Sequence, residues 1–297
     1  MKTRLAVFFL ALLLLPQIGL WLSGMEPASP LVDNMAEIVN PPAVLLTTLL
    51  FSGYVLLIHH LVKLLTGNSL FQQHRDYFLL MSGVSAVLAW LLIYMNHFVA
   101  SWTVQPENPV MQALLYTPMF VLLGPAVLFT RALLGTSSRL LKPLSRIISF
   151  PKIKSETLVF ILIPLAAFGI AGGAAWPEQL YWLFWASPIL LLSALQLLWN
   201  EGTIFSGLPS GDWGRIICAA LAGIIVCNFV LAAYQYNGGI INSALHGSFF
   251  EQLGFALFGL LCMQLGDIVA EKWRGTTRGE QFRKNSKFPI PVISRKN

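Results

Sequence analysis

The chain alternates between long apolar runs and short polar breaks. The runs cover about 5–23, 42–64, 77–100, 110–134, 157–175, 179–199, 214–234 and 249–270. Each is close to the ~20 residues that an α-helix needs to cross a bilayer core. A transmembrane barrel would show segments of about ten residues with alternating polarity, and these runs are longer and continuous. Eight membrane-spanning helices are predicted. The breaks carry the chemistry of turns: "GMEPASPLVDNMAEIVNPP" holds three acids and four prolines, "VQPENP" is a Pro-Asn turn, "AAWPEQ" is a tight hairpin with Trp176 at the interface, and "QYNGGIINSALHGS" has the Asn and Gly of a loop.

The fold class is therefore all-α, a polytopic helical bundle. Residues 1–271 form a single transmembrane domain, and 272–297 form a basic tail expected to be disordered and to lie along the lipid. The first run has two readings. Lys2 and Arg4 precede "LAVFFLALLLL", which resembles the apolar core of a signal peptide. Without a convincing small-x-small cleavage site, the segment reads as an uncleaved signal-anchor. Cleavage would leave seven spans and an outward N-terminus.

Composition agrees with the pattern. Of 297 residues, 56% are hydrophobic and 11% charged, with mean hydropathy +0.69, whereas a soluble domain carries roughly a quarter charged residues. Charge then orients the spans. Lys and Arg cluster in the first four residues, in 63–75, in "RALLGTSSRLLKPLSRIISFPKIK", around Arg215 and in "EKWRGTTRGEQFRKNSK", and the alternate loops have almost none. By the positive-inside rule the basic segments are cytoplasmic. Both termini then lie in the cytoplasm, and the 95–112 hairpin faces outward from a cell inner (plasma) membrane. The net charge of +6 calls for no nucleic-acid partner, because membrane lipids attract basic loops at about 1 kcal/mol per Lys or Arg.

The outward hairpin gathers soft and imidazole side chains. Met95 and His97 close one span, Met111 opens the next with Met119 two turns on, His246 lies in the last outward loop, and Met25 and Met35 lie in the first. Thioether sulfur suits Cu(I), and imidazole serves copper in either state. Met95, His97, Met111 and His246 are thus candidate copper ligands, although Met is also an ordinary filler of helix interfaces. His59, His60 and His74 lie at the opposite end, so His59 or His60 fails the depth test for haem ligation with His97. Cys218, Cys227 and Cys262 fall inside spans without metal or disulfide spacing and read as packing residues.

Polar residues inside spans are costly and usually have a use. Asn228 and Gln264 are expected to form hydrogen bonds between helices, and Gln196 is a further polar residue towards the inner end of its span. Asp267 shares a helix face with Gln264 and is expected to be hydrated near the cytoplasmic boundary, with Lys272 or Arg131 as neutralising partner. In "LLWNEGTIFSGLPSGDWGRI", Asn200, Glu201, Asp212 and Arg215 could do acid–base work or hold a cation. A structured turn with Ser210 or Asp212 capping the next helix is the favoured reading.

From Gly67 to about Trp273 the chain resembles the multi-span CtaG-type cytochrome c oxidase assembly factors. The resemblance runs through "HRDYFLLMSGVSAVLAWLLI", "LLYTPMFVLLGPAVLFTRALL", "AAWPEQLYWLFW" and "EQLGFALFGLLCMQLGDIVAEKW". Pro118, Gly124, Pro125 and Arg131 match by spacing that family's helix with a mid-helix proline and a Gly-Pro turn. Where the family has outward histidines, this chain has residues near Pro106 and Val110, and only Met111 and Gln112 echo the pattern. The resemblance implies a non-catalytic accessory role in building a copper-containing respiratory oxidase, with oxidase subunits as partners and copper handled at the outward face. Two other readings stay open at this point: a membrane-anchor or electron-transfer subunit of a respiratory complex, and a small-molecule or lipid transporter or membrane enzyme.

Overall fold

A computed structural model describes residues 41–104, 109–145, 147–199, 201–243 and 248–274. The expected first span, the basic tail beyond Arg274, and His246 lie outside the described residues. Seven helices among those described are long and apolar enough to cross a membrane, and the protein is a multi-pass membrane bundle. In chain order they are α1 (Pro41–Thr66), α3 (Arg75–Val99), α4 (Pro109–Gly135), α6 (Ser155–Ala175), α7 (Pro177–Leu198), α8 (Gly214–Tyr236) and α9 (Ser248–Arg274). Two short helices, α2 (Leu70–Gln73) and α5 (Ser138–Leu144), sit in connections. These bounds match the spans expected from 42 to 270 within a few residues.

Successive spans run antiparallel, which gives the bundle two unlike ends. Every Lys and Arg among the described residues lies at or near the end formed by the connections 67–74, 136–154 and 199–213, the basic end. The opposite, hairpin end has a feature that apolar periodicity did not reveal. Strand β1 (Trp102–Val104) pairs antiparallel with β2 (Ile241–Ser243), with Trp102 opposite Ser243 and Val104 opposite Ile241. The ribbon satisfies backbone groups of two connections at once, where an open strand edge would leave them unpaired. It ties the α3–α4 hairpin to the α8–α9 hairpin.

Helix α4 is the centre. Two-thirds of its most apolar window (67%) is buried, against 22% for α6, and it packs on α1, α3, α8 and α9. It contains Pro118 and Pro125, yet it runs on as one helix where the family resemblance implies a turn at Gly124-Pro125. Proline removes a ladder donor and crowds the preceding turn, so α4 needs outside support there. Ser85 of α3 supplies it: its Oγ donates to the Phe120 carbonyl at 2.6 Å and accepts from the Gly124 amide at 2.7 Å. A neighbouring helix thus bonds to the broken stretch, as lipid requires of irregular backbone.

Backbone meets backbone where α8 crosses α9. A Cβ added at Gly223 would lie 2.3 Å from the Phe255 carbonyl oxygen, and one added at Gly259 would lie 2.2 Å from that of Ala219. Between helices in lipid, small residues of this kind allow the close van der Waals contact that replaces the hydrophobic drive. The crossing also sets register. Arg215 and Asp267 each lie eight residues from it toward the basic end, which is about 12 Å along either axis. On the other side Asn228 and Gln252 join their amides at 2.6 and 3.0 Å, as expected of Asn228.

Gly223→Ala should destabilise the bundle by about 1–3 kcal/mol, the range for overpacking. Gly254→Ala on α9, where a Cβ meets nothing within 4 Å, should be neutral or slightly stabilising. Thermal unfolding of the two variants in one detergent checks this, and equal melting temperatures would show that the crossing is not close.

Candidate functional site

Three of the four expected metal ligands, Met95, His97 and Met111, are at the hairpin end. Met95 is in the core, 8% exposed, while His97, two residues on, is exposed on the other side of α3. Two residues turn a helix by about 200°, so these side chains diverge. Met111 is 44% exposed and Met119, expected on nearly the same face, is buried at 6%. His246 lies outside the described residues. The structure therefore leaves His97 and Met111 accessible at one end and sets Met95 among core residues. The residue that organises this hairpin is Asn96, whose side chain donates to the Trp102 carbonyl at 2.7 Å and accepts from the Trp102 amide at 3.3 Å. Trp102 stacks on Trp185, whose indole donates to Ser101 at 2.9 Å. Asn in the last helical turn is a legible turn signal in the sequence.

The densest buried polar chemistry is at the basic end, between α3, α4, α7, α8 and α9. Asp267 is 1% exposed and forms an ion pair with Arg215. This corrects one expectation and extends another: the carboxylate is buried rather than hydrated, and Arg215 forms an ion pair with it while Arg131 interacts with its charge; the side chain of Lys272 lies outside the described residues. The reason is the α8–α9 register, which brings the first turn of α8 beside Asp267. Tyr77, also buried, donates to the Gly266 carbonyl at 3.2 Å. A Cβ at Gly266 would come within 2.8 Å of that hydroxyl, so the glycine opens the approach.

One turn before Asp267, Gln264 reaches across to α7, donating to Ser193 Oγ and to Gln196 Oε1, both at 2.9 Å. All three are buried, and the bonds are the interhelical ones expected of Gln264. Such bonds stabilise by about 0.6–2 kcal/mol each.

Arg131 is the member that sequence reasoning missed as a site residue. It was counted with the basic loop, but it sits within α4, four residues before the helix ends, and is 5% exposed. Its charge interacts with Arg215, Cys218, Asp267 and Tyr77. Its Nε and Nη1 are buried and meet no hydrogen-bond partner among the described residues. The cue was present, because "LFTRALLG" places one Arg inside an apolar run.

The 200–213 stretch closes the basic end. Glu201 N–H donates to the Gln196 carbonyl at 2.7 Å, Ile147 N–H to Gly211, and Phe150 N–H to Leu208. Asp212 accepts from the Gly214 amide at 2.9 Å in the turn before α8 and Ser210 donates to the Gly207 carbonyl; the N-cap position is held by Trp213 without a side-chain cap, so neither expected residue caps the helix. Asn200 lies outside the described residues.

The electrostatics follow from the count of charges. Among the described residues Arg131, Arg215 and Asp267 interact as charges, and a guanidinium stays charged at neutral pH. These three groups carry one positive charge in excess inside a low-dielectric bundle, where an uncompensated ion costs several kcal/mol. A polar site with free N–H donors and surplus positive charge suits an oxyanion. No protein-family model, curated protein or solved structure matches the chain.

Removing either partner of the buried pair strands the other charge. Arg215→Gln and Asp267→Asn should each cost about 3–5 kcal/mol, and the double variant should cost clearly less than their sum. A double-mutant cycle by thermal or denaturant unfolding measures the coupling, and additive losses would mean that the two charges are independent.

Proposed function

We propose that the protein is a membrane-embedded binding protein for an oxyanion, taking a phosphate or carboxylate group at Arg131 from the basic end. The observation that carries this reading is the buried Arg131 guanidinium, whose Nε and Nη1 meet no hydrogen-bond partner among the described residues, beside an Arg215–Asp267 ion pair, so that these three groups hold one positive charge in excess. Arg215, with its side chain 14% exposed against 1% for Asp267, is the member nearest an entrance. Residues at the start of α3 and α8 and near the ends of α4, α7 and α9 build the site, so binding would hold five helices together at one end. The basic connections draw anions toward it, and the positive-inside rule puts that end in the cytoplasm.

The anion could be a free solute or a lipid headgroup, and two probes separate them. Protein in phosphatidylcholine nanodiscs is heated with inorganic phosphate, or after phosphatidic acid is included in the disc. A saturating ligand should raise stability by about 2.7 kcal/mol at a hundredfold excess over Kd, and Arg131→Gln should abolish the response. A response to phosphate alone identifies a solute site, and one to phosphatidic acid alone a headgroup site. No response to either, or an unchanged response in Arg131→Gln, overturns the reading.

A second reading keeps the resemblance to oxidase assembly factors and the outward handling of copper. It is favoured by one observation: His97 and Met111 are both exposed at the hairpin end, on consecutive antiparallel helices. On this reading the protein is an accessory factor for a respiratory oxidase and holds Cu(I) transiently. Titration with Cu(I) against a chromophoric chelator should show binding that is lost in His97→Ala/Met111→Leu. Wild-type protein that leaves all the copper on the chelator sinks this reading. A cysteine at position 103 that is shielded from an impermeant maleimide in intact cells does so as well.

A further inference from the structure

Helices α6 and α7 pack closely near one end and line a cleft near the other. Near the hairpin end they are in close contact: Cβ atoms added at Gly169 and Gly173 would fall 2.1 Å from Ser187 Oγ and 2.4 Å from Phe184 Cβ. Each helix has an internal proline near that level, Pro164 and Pro188, where a ladder bond is lost and the axis is free to bend. Toward the basic end the helices part around an open cleft of about 910 Å³. Its walls are Val159, Phe160, Ile163 and Pro164 from α6 and Leu197 and Leu198 from α7. Gln196, the neighbour of those two leucines, is buried and bonded to Gln264, so the cleft is on the side of α7 away from the arginine cluster.

The walls offer no side-chain hydrogen-bonding group, so the occupant must be hydrocarbon over most of its length. The mouth differs. Lys154, Ser155 and Glu156 line it and are all exposed, and Lys154 and Glu156 form no ion pair among the described residues. α6 starts there with no side-chain cap, which leaves first-turn amides that favour a phosphate. A cation and a carboxylate two residues apart, above an apolar cleft, complement a headgroup that has both signs.

We propose that this cleft binds one phospholipid with a primary-ammonium zwitterionic headgroup, the phosphatidylethanolamine class. An acyl chain lies along Phe160, Ile163 and Leu197. The phosphate meets Lys154, the Ser155 hydroxyl and the open amides of α6. The ammonium donates to the Glu156 carboxylate, a contact that a trimethylated ammonium cannot make and a glycerol headgroup makes without charge. The site is independent of Arg131.

The test uses full-length protein in nanodiscs doped with phospholipids that carry a photoreactive acyl chain, with the labelled residues mapped by mass spectrometry. Phosphatidylethanolamine should label 159–164 and 197–198 about fivefold more than phosphatidylcholine or phosphatidylglycerol, the ratio expected of one charged contact at a membrane surface. Glu156→Gln should remove the preference over phosphatidylcholine, Lys154→Gln should lower labelling by every phospholipid, and Ile163→Trp should fill the cleft and suppress labelling there only. These positions are exposed, so the variants should remain monodisperse. Equal labelling by the three lipids, a preference for phosphatidylglycerol, or label spread evenly around α6 would overturn the proposal. So would an Ile163→Cys variant that crosslinks to a protein helix in native membranes.

Discussion

The contact of Gly223 with Gly259 sets the geometry on which the interior depends. Two helices that touch through backbone have a single register, because sliding either one by a residue would drive side chains into carbonyl oxygens. That register brings Asn228 to Gln252 on one side and Arg215 to Asp267 on the other. In lipid these polar groups have no solvent to fall back on, so the glycine crossing and the polar pairs enforce each other. The hydrophobic effect places the chain in the membrane, but it does not choose between registers whose outer faces are equally greasy.

The same economy of polar groups runs through the remaining interfaces. α4 has a broken ladder at its proline, and Ser85 of α3 mends it. Tyr54 reaches Thr130 at 2.8 Å, joining α1 to α4, and Tyr116 reaches Tyr234 at 3.1 Å, joining α4 to α8. Each bond is weak, but each fixes an azimuth. The pair α6–α7 is held by a different means, close glycine packing at one end, and so it can part at the other.

Against this background Arg131 stands apart. Most polar side chains inside the bundle meet a partner on another helix, whereas Arg131 has two buried nitrogens that meet none among the described residues. A scaffold has no need to bury an extra cation, and the desolvation cost argues that something anionic repays it. Binding there would act on the ends of five helices at once, so occupancy and the stability of the basic end are linked.

The sequence by itself determined the number and limits of the described spans, their alternation, and the concentration of positive charge at one end. These are one-dimensional properties: hydrocarbon thickness sets run length, and charge sets which connections stay together. It also singled out Asn228, Gln264 and Asp267 as costly groups that would need partners. Only the tertiary structure decided who those partners are. The partner of Asp267 depends on where two helices cross, and the burial of Arg131 depends on α4 being surrounded; neither is written in local spacing. The strand pairing of Trp102–Val104 with Ile241–Ser243 was hidden for the same reason, since two three-residue segments about 140 positions apart have no periodicity to read. Met95 and His97 looked like one site because they are close along the chain, whereas a helix turns by about 100° per residue and sends them to opposite sides.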